Sequence, residues 1–243
     1  MSKLLDNVRT VMRTRYYSYE TEKRYIYWIR QYIFFHNVRH PVEMGALEIE
    51  AFLSHLAVEK TVSASTQNQA LAAILFLYRE VLSVELPWLD KFTPAKKPSR
   101  VPVVLTKEEV KYILGELKDT NWLIGNLLYG SGLRLMEALR LRVKDLDFGY
   151  RQITVRDGKG AKDRFTVLPN ILIEPLQRQM EKTRKIHEQD LRRGLGQVEM
   201  PFALSRKYPN AEKEWAWQYV FPSRCLSKNP RTGATGRHHV SPA

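Results

Sequence analysis

Two basic residues of the chain are placed where they could hold a phosphate group. Arg134 follows the glycines of GSGLRLMEALRL, residues 130–141, at the predicted start of a helix. The free backbone amides of a first helical turn attract an anion, and a guanidinium adds coplanar donors and a permanent charge. The alternative is an ion pair with Glu137 or with an acid of VKDLDF, residues 143–148. The local sequence leaves these two interpretations evenly balanced.

Lys159 is the second candidate, in the tight turn of RDGKGAKDR, residues 156–164. Gly158 and Gly160 let the backbone approach a ligand closely and lift the lysine off the flanking strands. A lysine at a hairpin tip can enter a groove of DNA, or act as a general acid where its surroundings lower its pKa. Taken alone, the residue is better explained as a solvent-exposed turn lysine.

The elements that must position these residues are indicated by capping and periodicity. Thr106 and Glu109 form a capping box that predicts a helix to about residue 117, and residues 121–129 predict a second helix. The GSG break then leads into a third. Alternating apolar residues on both sides of GKGA predict a β-hairpin over residues 152–169, and a long polar helix follows over residues 171–191.

The first part of the chain is purely helical in pattern. Residues 4–83 show the 3.6-residue periodicity of four helices, the last of them capped by Ser63 or Ser65. We therefore predict a mainly α protein with a small β-sheet. It comprises an all-α domain over residues 1–87, a basic proline-rich linker over residues 88–102 and an α+β domain over residues 103–243.

The linker is the most basic irregular stretch of the chain. PWLDKFTPAKKPSRVP, residues 87–102, holds four prolines, which prevent regular structure, and its basic residues are Lys91, Lys96, Lys97 and Arg100. We predict a strap that lies along the phosphates of a nucleic acid. An ordinary solvated linker is the alternative, because the whole chain is basic.

Composition limits the function classes. The 243 residues carry a net charge of +13, which favours a polyanionic partner, either nucleic acid or an anionic membrane surface. The only cysteine, Cys225, excludes an internal disulfide and indicates a reducing compartment. The most apolar windows are too short or too interrupted to span a bilayer, and no signal peptide is indicated. We predict a cytoplasmic DNA-facing protein with no membrane partner.

Taken together, GSGLRLMEALRLRVKDLDF and the later hairpin bearing GKGAKDR resemble the catalytic domain of the tyrosine recombinase (phage integrase) family. The helical first domain is similar to the SAM-like core-binding domain of that family. The resemblance implies site-specific DNA recombination through a 3′-phosphotyrosine link, without a metal or another cofactor. It implies that Arg134 is the first catalytic arginine, that Glu137 orients it, and that Lys159 protonates the leaving 5′ oxygen.

Other segments resemble the integron integrases in particular. They are RTRYYSYETEKRYIYWIRQYIFFHNVRHP, RVPVVLTKEEV, and LSRKYPNAEKEWAWQYVFPS followed by RHH. This resemblance implies an inserted segment over about residues 190–223 and a DNA partner folded as a single-stranded hairpin. It also implies that extrahelical bases of that hairpin stack on Trp217, Pro230, His238 and His239, whose flat faces suit an unstacked base.

Two alternatives remain for these residues. Trp215, Trp217 and Tyr219 alternate as in a core strand, which favours packing for at least one face. His238 and His239 could suggest a metal pair, but no acidic or cysteine partner lies at ligand spacing. We therefore predict no metal site.

Two parts of the family's catalytic set, a histidine-x-x-arginine motif and a tyrosine nucleophile, are expected after residue 243. HNVR, residues 36–39, lies far upstream of Arg134 and is interpreted as a chance match. We therefore expect a C-terminally truncated, partial sequence that binds DNA but does not cleave it, and that is monomeric or weakly associating where the intact parent forms a tetramer on DNA. The alternatives are a non-catalytic DNA-binding regulator, or a generic phage or transposon recombinase.

Overall fold

The structure, a computed structural model, describes residues 2–84, 95–96, 101–156, 162–201 and 204–242. The chain folds into two units, Met1–Pro102 and Val103–Ala243. Each unit has its own cluster of buried apolar side chains. Within the described ranges, none of the helices combines the length and the apolar character that a bilayer span requires.

The first unit is built from helices whose starts follow local capping. They are α1 (Ser2–Thr14), α2 (Tyr19–Phe35), α3 (Ala46–Val58) and α4 (Ala64–Phe76), with a 3-10 turn at Pro41–Glu43 and a π turn at Leu77–Val81. The Ser18 hydroxyl accepts a hydrogen bond from the Thr21 amide, so α2 starts before Thr21, where the sequence placed it. Ser63, not Ser65, caps α4 in the same way.

Polar contacts accompany the apolar core of the first unit. The hydroxyl oxygens of Tyr32 and Tyr78 lie 3.0 Å apart, and Tyr78 also donates to the Pro41 carbonyl at 2.9 Å. Burial raises the pKa of both phenols, so both stay protonated. Arg13 on α1 forms two hydrogen bonds with the buried carboxylate of Glu22 on α2. These contacts connect α1 with α2, and α2 with the π turn.

The HNVR sequence lies in this unit. The ring of His36 contacts the Glu48 carbonyl through Nε2 at 2.9 Å, and Arg39 pairs with the Glu48 carboxylate at 3.3 Å. The carboxylate of Glu48 also accepts from the Gly45 amide at 2.8 Å, where α3 begins. The two HNVR side chains therefore hold the start of α3.

The second unit combines helices with a small antiparallel sheet. Its elements are α5 (Lys107–Glu116), α6 (Asp119–Ser131), α7 (Leu135–Leu139), a 3-10 turn at Val143–Asp145, β1 (Leu146–Asp147), β2 (Gln152–Val155), β3 (Arg164–Val167), α8 (Asn170–Arg192), α9 (Leu204–Lys207), 3-10 turns at Ala211–Lys213 and Trp215–Trp217, β4 (Ser227–Lys228) and β5 (Thr235–Gly236). One sheet has the order β1-β2-β3, and β4 pairs with β5. The predicted mainly α fold with a small sheet is confirmed.

Local signals explain most of these boundaries. The predicted capping box of Thr106 and Glu109 opens α5. Helix α6 continues through Ser131, so the GSG break falls at Gly132, whose φ of 63° favours glycine. Strands β2 and β3 pair Ile153 with Thr166, as in the predicted hairpin.

The segment Trp215–Trp217 does not form a strand. Trp215, Trp217 and Tyr219 alternate as in a core strand, which was the alternative to base stacking, but Trp215–Trp217 forms a 3-10 turn. The Trp217 amide donates to the Glu214 carbonyl, and a local bond of this kind does not require a neighbouring strand. Extended pairing begins only at Tyr219, which bridges Arg142.

Candidate functional site

Arg134 lies at the N-cap of α7, immediately after the turn that ends α6. Its Nη1 donates to Oε1 of Glu137 at 2.7 Å, and its backbone amide donates to Oε2 at 2.9 Å. The pairing with Glu137 that the sequence left open is therefore present. Yet 58% of the Arg134 side chain is exposed, so this pair leaves donors for a ligand.

Glu137 connects Arg134 to a second arginine that sequence reasoning missed. Arg164, the first residue of β3, donates from Nη1 and Nη2 to the two carboxylate oxygens at 3.0 and 2.7 Å. The hydrogen bond from Arg164 is the main cause that lowers the pKa of Glu137 to about 2, against the opposing effect of its burial. A carboxylate that stays ionised thus holds one arginine from α7 and one from the sheet.

Lys159 lies outside the described residues, in the segment 157–161 that connects β2 to β3 along the chain. Both flanking strands are described, and Val155 of β2 pairs with Arg164 of β3. On β3, the Thr166 hydroxyl donates to the Ser131 carbonyl at 2.7 Å. Arg164 and Thr166 therefore tie the base of the hairpin to the turn that carries Arg134.

A buried arginine, Arg142, holds the segment of residues 215–219 in place. Arg142 is 8% exposed, and its guanidinium donates to the backbone carbonyls of Trp217 and Glu199, both at 2.7 Å. The guanidinium carbon also lies 4.7 Å from the ring centroid of Tyr219. The Asp145 carboxylate accepts from the Arg142 amide at 2.9 Å. A single side chain therefore fixes the backbone of two distant loop positions.

Trp217 is half-buried, and a lysine occupies a face of its ring. Nζ of Lys144 lies 2.8 Å from the centroid of the Trp217 ring. Burial, followed by the charge of Arg156, lowers the pKa of Lys144 to about 8. The predicted stacking residue is thus in contact with a cation in the free protein.

His238 and His239 pack together against Tyr219. The two imidazole centroids lie 4.1 Å apart, and each ring contacts the phenol. His239 is 7% exposed, and burial is the main cause that lowers its pKa to about 4. The neutral ring donates from Nδ1 to the Val240 carbonyl at 2.7 Å, because a carbonyl can only accept. His238 is the more exposed of the pair, with Nε2 3.7 Å from Glu199.

Pro230 is exposed in a turn that Asn229 stabilises. The Asn229 side-chain oxygen accepts from the amides of Arg231 and Thr232 at 2.8 and 3.2 Å. Of the four residues predicted to stack on bases, Pro230 is exposed, Trp217 and His238 are partly exposed, and His239 is buried. Among the described residues, no group of three or more His, Cys, Asp or Glu could hold a metal ion.

An ion pair connects this turn region to α8. Arg237 donates to both carboxylate oxygens of Asp190, at 2.6 and 2.8 Å, and to the carbonyls of Ser223 and Arg224 at 2.8 Å. A side chain on Gly236 would come within 2.4 Å of the Gln197 carbonyl oxygen. The backbone beside His238 is therefore held closely against the loop that follows α8.

The linker candidates fall mostly outside the described residues. Lys96 is described and exposed, whereas Lys91, Lys97 and Arg100 are not described. Beside Lys96, the backbone of Ala95 exchanges two hydrogen bonds of 3.0 Å with the Asn68 side chain. This anchor places one point of the linker on α4.

A further candidate surface lies on α2. Its exposed face carries a basic and aromatic stripe at helical spacing, formed by Lys23, Arg24, Tyr27, Arg30 and Phe34. The Arg30 guanidinium lies over the Phe34 ring, 5.9 Å from its centroid. The helical spacing of these residues is visible in the sequence. Which aromatic residues of α2 are buried and which are exposed is known only from the fold.

Comparisons with known proteins match both units. Residues 4–88 match the model "Phage integrase, N-terminal SAM-like domain", and residues 103–240 match the model "Phage integrase family". An "Integrase/recombinase" of Escherichia coli and one of Pseudomonas aeruginosa are each 48% identical over 238 residues, covering 98% of this chain and 71% of theirs. A "Tyrosine recombinase XerA" of Thermococcus onnurineus is 32% identical, covering 74% of this chain and 62% of its own.

Solved structures agree at the level of the fold. The Tn1549 transposon integrase in complex with transposon right end DNA is 17% identical, with a TM-score of 0.51, covering 74% of this chain and 65% of that one. The two family matches span most of the sequence, and the 48% identical relatives align with nearly all of it. The chain therefore belongs to the phage integrase family, the tyrosine recombinases.

Proposed function

We propose that this protein acts in site-specific DNA recombination and that Arg134 and Lys159 belong to its catalytic site. The observation that carries the proposal is the Arg134–Glu137–Arg164 cluster, which ties the phosphate-binding arginine to the base of the hairpin that bears Lys159. Membership of the tyrosine recombinases supports it. The net charge of +13 suits a DNA partner.

The chemistry is a transfer of the phosphoryl group from DNA to protein. A tyrosine hydroxyl, predicted to follow residue 243, loses its proton to water, attacks the scissile phosphorus and forms a 3′-phosphotyrosine bond while the bond to the 5′ oxygen breaks. Lys159 gives its proton to that leaving oxygen. Arg134 donates to the non-bridging oxygens and offsets the charge that develops on them. Religation reverses these steps, and the bond energy stays in the link.

We further propose an integron-type DNA partner, a folded single strand with extrahelical bases. Pro230 is exposed and Trp217 and His238 are partly exposed, and their flat side chains suit stacking on an unpaired base. His239 takes part only if its buried ring is released from Tyr219. The segment over about residues 190–223 would position Trp217, through the carbonyls that Arg142 holds.

The remaining assignments follow the same proposal. Residues 1–87 form the core-binding domain, residues 88–102 the strap on phosphates, and residues 103–243 the part of the catalytic domain that carries the candidate site. The stripe on α2 supports DNA binding by the first of these. A cytoplasmic location, a tetramer of the intact parent on DNA and a monomeric form of this chain stay predictions.

A gel-shift competition tests the DNA partner. A hairpin with extrahelical bases should displace labelled hairpin DNA from this chain much better than a plain duplex of the same sequence. Equal competition would leave a generic recombinase in place of the integron type. The DNA that follows codon 243 decides between an enzyme and a non-catalytic binder: an open frame encoding HxxR and a tyrosine supports the first, and an in-frame stop supports the second.

A further inference from the structure

Lys144 is not among the residues proposed to take part in catalysis or base stacking. The residue is half-buried, and within the described ranges its ammonium forms no ion pair; its recorded contact is with the Trp217 ring. A half-buried charge without a counter-ion is costly, and such a group suits an anionic ligand. The question is which anion could reach it.

The charges around Lys144 favour an anion. Arg142 and Arg156 repel its ammonium, and Asp145 is the acid that attracts it. The Asp145 carboxylate is already shared, because Arg156 binds Oδ1 at 2.8 Å and the Arg142 amide binds Oδ2. The Arg142 guanidinium is in turn committed to two carbonyls. Among the described residues of this group, Lys144 is the cation whose charged end has neither a hydrogen bond nor an ion pair.

The position of the Trp217 ring indicates which anion Lys144 binds. Arg142 fixes the Trp217 carbonyl, so the backbone that carries the indole does not need Lys144 to hold it. The ring and the ammonium are adjacent, which is the arrangement that a nucleotide requires: a flat face for the base and a cation for the phosphate.

We propose that Lys144 and Trp217 together form a subsite for one extrahelical nucleotide, with the base on the indole and an adjoining phosphate on the ammonium. The proposal rests on the proposed function, since it takes Trp217 as a base-stacking residue. Because Nζ lies over the ring in the free protein, the base displaces it, and a cation–π contact is exchanged for a charge-assisted hydrogen bond. Lys144 therefore shields the ring until DNA arrives.

The test uses this chain and fluorescence anisotropy with a hairpin that carries one extrahelical base. Neutral methylphosphonates replace the phosphates on the 5′ and 3′ sides of that base, one at a time. One of the two replacements should weaken binding about tenfold, as expected for loss of a charge-assisted contact. An abasic nucleotide at the same position should also weaken binding about tenfold, through loss of stacking.

Protein variants then assign each loss. Lys144→Gln should cost about tenfold on the natural hairpin and nothing further on the sensitive methylphosphonate hairpin. Trp217→Leu should cost about tenfold on the natural hairpin and nothing further on the abasic hairpin. Lys111→Gln, which removes one exposed positive charge from α5, is the matched control, and its effect should not depend on which phosphate is neutral.

The outcomes separate this inference from the proposed function. If the hairpin preference depends on Trp217 but neither methylphosphonate weakens binding of the unmodified chain, the subsite is overturned while base stacking stands. If hairpin and duplex bind equally, the subsite and the integron-type DNA partner both fall, while the recombinase proposal stands. Circular dichroism of Lys144→Gln checks its fold, and the methylphosphonate arm needs no change in the protein.

The pH dependence of binding gives an independent readout. The pKa of Lys144 is about 8 in the free protein, and a bound phosphate raises it. Its contribution to affinity should therefore be complete below about pH 8 and be lost as pH rises through the higher pKa of the complex. Lys144→Arg, which stays charged, should remove this dependence while Arg142, Arg156 and Asp145 remain. An unchanged pH profile in Lys144→Arg would contradict the proposal.

Discussion

At Glu137, one carboxylate aligns two arginines that come from different elements. Arg134 belongs to the start of α7 and Arg164 to the start of β3, and together they supply three side-chain donors to the same two oxygens. With a pKa near 2, the carboxylate stays charged under all physiological conditions. Arg164 is therefore a positioning residue for Arg134, although it was not among the residues chosen from sequence.

Arg164→Gln should slow strand cleavage about 10–100-fold in a full-length, cleavage-competent recombinase, the usual cost of losing a residue that orients a catalytic group. Arg134→Ala should slow cleavage more, by about 1,000-fold, because it removes the side chain proposed to donate hydrogen bonds to the phosphate. Both variants should bind DNA nearly as well as the unmodified protein. The measurement is the rate of covalent protein–DNA adduct formation.

Two results would contradict this assignment. One is adduct formation by Arg134→Ala at the unmodified rate. The other is a loss of DNA affinity in Arg164→Gln that matches its loss of cleavage, which would make Arg164 a DNA contact or a folding residue. Arg178→Gln removes an exposed arginine of α8 and serves as the control. It should change neither the rate of adduct formation nor the DNA affinity.

Lys159→Ala should also slow cleavage, because the leaving 5′ oxygen then departs without its proton. A bridging sulfur at that position leaves readily as a thiolate, so sulfur-substituted DNA should restore most of the rate to Lys159→Ala. Arg134→Ala should not be restored, since its defect concerns the non-bridging oxygens. Failure of the sulfur to restore Lys159→Ala would indicate that the lysine positions DNA instead.

Spacing along the chain was sufficient to single out Arg134 and Glu137 but not their partner. Arg164 is the last letter of GKGAKDR, and nothing in that turn shows that the strand register brings it to α7. Lys144 and Trp217 are 73 positions apart and meet only through the tertiary fold. Contacts of this kind depend on side-chain reach across elements, which local patterns do not encode.

At the scale of elements, hydrogen bonds close in sequence were predictable and long-range ones were not. The cap at Thr106 was predicted correctly, and Ser63 was one of two candidates for the cap of α4, because each cap involves residues only three positions apart. The alternation of Trp215, Trp217 and Tyr219 is typical of a strand, but the segment closes into a 3-10 turn. A strand requires a partner, and the sequence alone could not show that Arg142 would hold this turn instead.

The Asp190–Arg237 ion pair should matter most for the stability of the second unit. Asp190 is 2% exposed, so Arg237→Ala leaves a buried charge uncompensated and should cost about 3 kcal/mol of unfolding free energy. This corresponds to a fall in Tm of roughly 10 °C for a domain of this size.

Differential scanning calorimetry measures that fall, and the same helix offers a matched control. Arg178 and Glu174 form an exposed pair on α8, so Arg178→Ala should change the free energy by less than about 1 kcal/mol. If both variants changed Tm equally, the Asp190–Arg237 contact would not stabilise the loop region. Loss of this pair should also weaken hairpin binding, because it holds the backbone next to His238.

At the scale of the whole molecule, each unit has an apolar core of its own. The first unit buries side chains from α1 to α4, and the second buries side chains from α6, α7, α8 and the sheet. An independent core is the usual condition for independent folding. The division was indicated in the sequence by the change from periodic helices to the proline-rich stretch.

We expect a fragment of residues 1–102 to fold alone, with a helical circular dichroism spectrum and one cooperative thermal transition. Tyr32→Phe should lower its Tm, because the change leaves Tyr78 without one buried hydroxyl partner. Tyr27→Phe, on the exposed face of α2, should not. A gradual, non-cooperative melt of the fragment would show that its core needs the second unit.

Arg142 holds its loops through backbone carbonyls, and every amino acid supplies such a group. The side chains of Glu199 and Trp217 can therefore be exchanged without removing the acceptors that anchor them. The two loops are thus free to change their side chains while keeping their place in the molecule. Selection for a new DNA target could act on these loops one residue at a time, at little cost to folding.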